Sequence, residues 1–224
     1  MAGGRAADPA AGFFEQEVFM SVPMALVDFI PVILFIISAI TLQRGLYNRM
    51  SKGAFAVFSA GTIMVICAGI FKACWKLLYS AGICDFARLN QAFFPMQSIG
   101  FLLAGIAVIA MVFFKQGDGE KMYQIAAPAV FSGTIIFIAA ILLGSLGLCG
   151  GLAIESKRRG KMKAAVFFII AFIFLLMMGY LGTKDFSKAS LNWIAEGVNL
   201  AGQVFFLLAS KDLVKECKTL SSLN

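Results

Sequence analysis

Apolar runs of about twenty residues alternate with short polar stretches along this chain, and the alternation predicts most of its architecture. The runs lie at about 22–43, 54–78, 91–114, 125–150, 162–182 and 190–210. A helix needs about 20 residues to cross a hydrocarbon core, and each run reaches that length. Lipid offers no water to backbone N–H and C=O groups, so the spanning form is a helix that satisfies them internally. Between the runs stand RGLYNRMSKG, SAGICDFARLN, KQGDGEKMYQ, ESKRRGKMK and GTKDFSKAS. The pattern therefore predicts an all-α membrane protein whose six transmembrane helices occupy 22–210. Residues 1–21 read as a Gly/Ala-rich leader with a short amphipathic segment, FFEQEVFMS, and 211–224 as a C-terminal tail. The stretch from Tyr123 to Glu155 is too short for two full helical spans at about 1.5 Å per residue, so one span is expected there.

An even number of spans places both termini on one side of the bilayer. Counting Lys and Arg near the span ends gives eleven on that side against seven on the other. Basic loops favour the cytoplasm, so the expectation is a multi-pass protein of the cell membrane with N- and C-termini cytoplasmic.

Composition agrees with this picture. The 224 residues are 60% hydrophobic and 14% charged, where soluble domains run near 45–50% and about 25%. The net charge of +7 does not point to nucleic acid, because the basic residues cluster between apolar runs, as at Lys157, Arg158, Arg159, Lys161 and Lys163. Such clusters mark loops beside lipid headgroups. The chain has no histidine, which removes His zinc sites, b-type haem ligation and a Ser-His-Asp triad. Its five cysteines form no C-x-x-C pair. No cofactor, metal site or catalytic residue is expected, and the loops hold no clustered nucleophile and base to suggest an enzyme.

The two halves share short features. GAFAVF opens the second run and MKAAVF the fifth. Asp85-Phe86 and Asp185-Phe186 follow, then Leu89-Asn90 and Leu191-Asn192. Three spans per half would make these two inverted three-helix repeats, an arrangement common among transporters.

Charge within a span is costly, so each such residue is a candidate. Asp28 and Lys72 fall at similar depth in an antiparallel first hairpin, which makes an ion pair between them available. Against it stands a lysine that snorkels beside Trp75, Lys76 and Tyr79 in an interfacial belt, with Asp28 satisfied by a helix N-terminus. In the sixth run Asn192, Glu196, Asn199 and Gln203 recur at i, i+4, i+7 and i+11, one continuous helix face. That face meets either a packing seam or a cavity. Six alternating spans place Glu196 at the membrane face opposite Asp28 and Lys72, with Tyr180 and Arg44 as partners within reach. The third run carries the reduced counterpart, Asn90, Gln97 and Ser98 around Pro95. Gly144, Gly147 and Gly151 form a helix-packing surface, within the chain or as a homo-oligomer contact.

Two function classes follow. A polar stripe in a compact bundle suits a transporter or channel for an ion or small polar solute, with Glu196, Asn199, Gln203, Asn192, Gln97 and Asn90 as the substrate-binding set. The other class is a non-transport membrane component: a lipid-binding, assembly or sensory-input module. A water-filled pocket along the stripe favours the first, and a dry seam the second.

Overall fold

A computed structural model describes residues 21–114, 134–181 and 189–215, and those residues form only helices and short turns. The helices are α1 (Val22–Val27), α2 (Phe29–Leu46), α3 (Lys52–Ser80), α4 (Ala87–Phe113), α5 (Thr134–Arg158), α6 (Met162–Leu181) and α7 (Ala189–Val214). With α1 and α2 taken as one broken span, six are long and apolar enough to cross a membrane, as in a multi-pass integral membrane protein. The amphipathic segment before Ser21, the third polar stretch, the opening of the fourth run and most of the tail lie outside the described residues.

Local chemistry sets the helix ends. Pro31 has no N–H, and its ring crowds the carbonyl four residues back, that of Val27. The first span breaks there, with Asp28 between α1 and α2. At the start of α3 the Ser51 hydroxyl caps the Ala54 N–H at 3.2 Å. Gly82 ends α3 with φ +67°, and the Ile83 N–H returns to the Leu78 carbonyl. Gly160 ends α5 in the same way, with φ +71° and the Lys161 N–H on the Ser156 carbonyl. Both are glycine-terminated Schellman turns.

Side-chain contacts fix the direction of every helix. Gln43 meets Thr62 and Val32 meets Gly69, so α2 and α3 are antiparallel. Gly61 lies against Gly100 and Ala104, and Lys72 over Phe93, so α3 and α4 are antiparallel too. The next pair differs. Gly144 abuts Phe101 and Leu102, Gly151 abuts Val108, and Arg158 donates to the Val112 carbonyl. Helices α4 and α5 therefore run parallel. Phe114 and Thr134 stand at opposite ends of the bundle, and the chain between them connects those ends.

Two expectations fall with that observation. The triplets α2–α3–α4 and α5–α6–α7 run in the same sense, so the halves are not related by inversion. Val22 and Val214 lie at opposite ends of the bundle, not the same one. Counting spans from hydropathy assumes that each reverses the last, and nothing in an apolar run encodes its direction.

The core lies where α2, α4, α6 and α7 meet. The Phe35 ring packs against Phe101 at 6.4 Å and Phe206 at 5.8 Å, and Phe168 meets Phe206 at 5.5 Å. The surface of Gly144, Gly147 and Gly151 packs on α4 of the same chain. Large aliphatic side chains such as Ile33, Leu143 and Ile169 point outward, as lipid-facing positions do.

A buried carboxylate–lysine–carboxylate cluster

The break at Asp28 leaves its side chain without a capping bond to either helix. It turns instead toward α3, where the Lys76 ammonium lies 2.6 Å from Asp28 Oδ2. Lys76 also donates to Glu196 Oε1 of α7 at 2.7 Å. Asp28 and Glu196 are buried and Lys76 is partly so, with side-chain exposures of 14% for Lys76 and 10% for each carboxylate. One ammonium thus joins three separate parts of the chain, the α1–α2 break, the last turns of α3 and the second turn of α7. Lys72, one turn deeper on α3, sits 4.1 Å from the centre of the Phe93 ring, in cation–π range. Two carboxylates and two lysines leave the group electrically balanced.

Not every acceptor here is matched. Glu196 Oε2 and Gln203 Oε1 are buried and have no hydrogen-bond partner among the described residues. They sit seven residues apart on one face of α7, about 10 Å along the axis. Asn192 and Asn199 on the same face are half-buried. Asn90 and Gln97 are half-buried on α4, and among the described residues no hydrogen bond or ion pair joins them to the cluster. Pro95 stays inside α4 without ending it, and the Ser98 hydroxyl donates back to the Pro95 carbonyl at 2.9 Å.

The acid in the first span does find a lysine of α3, but that lysine is Lys76 rather than Lys72. Glu196 lies at the same end of the bundle as Asp28, not the opposite one, because the parallel α4–α5 pair reverses the sense of α6 and α7. Arg44 stands at the other end of the bundle and is not the ion-pair partner of Glu196. The interfacial belt forms without Lys76: Trp75 stacks on Tyr79 at 5.6 Å and donates to Asp85 at 2.9 Å. Its sequence signal was the i, i+4 spacing of Lys72 and Lys76, which puts both on one face of α3.

Two shallow apolar grooves open on the outside of the bundle. One, of about 400 Å3, lies between α6 and α7 over Ile173, Met177, Ile194 and Val198. The other, of about 500 Å3, lies over the α4–α5 glycines. Neither is lined by Asn192, Glu196, Asn199 or Gln203.

Fold and site together define a multi-pass helical bundle carrying a buried, charge-balanced acid–base cluster near one end. No protein-family model, curated protein or solved structure matches the chain.

Proposed function

We propose that this protein is a transporter or channel for an ion or small polar solute, with the Asp28–Lys76–Glu196 cluster as its polar site. The two grooves lie off the polar stripe and so favour the non-transport reading; what carries transport against them is the cluster itself, since charge buried inside membrane-spanning helices is costly and marks functional sites more than packing ones. Lys76 holds α7 to the α1–α2 break, so a solute that competes for either carboxylate or for the ammonium loosens that junction. The unmatched oxygens of Glu196 and Gln203 continue the polar track along α7. The test is flux into proteoliposomes, screened over alkali cations, chloride, protons and small polar solutes. Glu196→Gln keeps the shape and leaves Lys76 paired to Asp28, so flux should fall toward the protein-free level while the melting temperature changes little. Absence of flux for every solute, or an unchanged rate in Glu196→Gln, assigns the cluster to a packing clasp in a non-transport component.

We also infer an orientation. The end formed by the C-termini of α2, α5 and α7 and the N-termini of α3 and α6 carries ten described basic residues, from Arg44 to Lys215. Outside the buried cluster the opposite end carries Arg88 alone among the described residues. Positive loops stay in the cytoplasm, so the basic end faces inward and the Val22 end outward. Cys84 is exposed at the outer end. With the other cysteines replaced, a membrane-impermeant maleimide should label Cys84 on intact cells. A Lys163→Cys variant in a Cys-free background should label only after permeabilisation. The reverse pattern overturns the orientation.

A further inference from the structure

The ten basic residues divide into two sets. Arg49 and Arg159 bind Glu155 at 3.6 and 2.8 Å, Arg158 donates to the Val112 carbonyl, and Lys161 donates to the carbonyls of Asp212, Leu213 and Lys215 at the end of α7. These four hold the bundle end together. The other six, Arg44, Lys52, Lys157, Lys163, Lys211 and Lys215, are exposed and have no ion pair or side-chain hydrogen bond among the described residues. Only Glu155 and Asp212 supply carboxylates at this end of the described chain.

Their placement identifies what they face. One helical turn deeper than Arg44 is Ile40, 44% exposed; below Lys157 is Ile154 at 41%, below Lys163 is Val166 at 47%, and below Lys211 is Leu208 at 44%. Residues three or four apart share a helix face, so each cation stands directly above an outward aliphatic side chain. That vertical pairing of cation over aliphatic matches a lipid molecule, headgroup over acyl chain. It recurs on α2, α5, α6 and α7, and so runs around the bundle rim. Because no carboxylate among the described residues pairs with the six, the matching headgroup is anionic.

We propose that this rim binds anionic phospholipid, its phosphates held by Arg44, Lys157, Lys163 and Lys211 with the acyl chains lying over the aliphatic residues beneath. The site does not depend on the flux reading, since it requires no transport. The test uses wild-type protein in vesicles of phosphatidylglycerol and phosphatidylcholine, with spin-labelled forms of each lipid to measure relative association. The phosphatidylglycerol label should be preferred severalfold. That preference should collapse at about 1 M salt, where the screening length is about 3 Å. It should also collapse in the combined variant Arg44→Gln, Lys157→Gln, Lys163→Gln, Lys211→Gln, and persist in Arg88→Gln at the opposite end. Equal association of the two lipids with wild type, or a preference untouched by salt, overturns the site. Because the salt arm uses wild type, a combined variant that fails to fold leaves the outcome decided.

Discussion

Replacing Lys76 by Met should destabilise the protein by about 3–5 kcal/mol, the usual cost of removing one partner from a buried ion pair. The lost attraction is the smaller part. Asp28 and Glu196 then face each other, buried, with no ammonium between them, and neither can return to water without moving α1 or α7. Replacing the whole set should behave differently. The combined variant Asp28→Asn, Lys72→Met, Lys76→Met, Glu196→Gln leaves no uncompensated charge from the cluster and should recover most of the loss, because neutral groups of similar volume often substitute for buried ions with little penalty. Chemical or thermal unfolding in detergent measures both. A Lys76→Met cost below about 1 kcal/mol, or a combined variant no better than the single, contradicts a cluster held together by Lys76.

The second large effect is expected at Gly144. A Cβ built there falls against the backbone of Phe101 and Leu102, and Gly105 faces the Gly144 carbonyl in turn. Neither neighbour is the flexible end of a side chain, so Gly144→Val has to push α4 and α5 apart. Overpacking of this kind costs about 1–3 kcal/mol and sometimes more. Gly147→Ala should be milder, since its new methyl meets the Ile109 Cδ1 at 3.0 Å, which can rotate away, and the Gly105 Cα at 3.2 Å, which has to give by only a few tenths of an ångström. Gly179→Ala should be milder still, with only Leu142 Cδ2 at 3.9 Å. The order of melting temperatures, Gly144→Val lowest and Gly179→Ala highest, checks the parallel packing directly. A Gly144→Val protein as stable as Gly179→Ala contradicts it.

The spans themselves were legible in the sequence because length and apolarity are local properties. Most helices fall within a few residues of their apolar runs, but α5 runs on to Arg158, eight residues past the end of its run, and Gly82 and Gly160 mark two ends as glycine does elsewhere. The polar face of α7 was legible for the same reason: Asn192, Glu196, Asn199 and Gln203 declare it by spacing alone. Direction was not legible. Hydropathy is the same read either way, and the helical rise that limits Tyr123–Glu155 to one helical span says nothing of which way that span runs. The error carried into the site, since one reversed helix moved Glu196 from one end of the bundle to the other. Basic residues show the same effect. Alternating spans split them eleven to seven between the two faces, whereas among the described residues the observed helix directions gather all but Lys72, Lys76 and Arg88 at one end. The choice of Lys76 over Lys72 was hidden differently. A lysine flanked by Trp75 and Tyr79 near a helix end has the sequence of a snorkelling residue, and only the arrival of α7 gives it a second carboxylate.

That late arrival has a consequence for how the molecule is made. Asp28 and Lys76 emerge from the ribosome 48 residues apart and can meet as soon as the first hairpin is inserted. Glu196 follows 120 residues after Lys76, in the last helix of the bundle. A nascent chain therefore carries an incomplete charge set through most of its synthesis, one acid short of its final balance. Glu196 thus completes a charge set whose other members all lie in the first two spans.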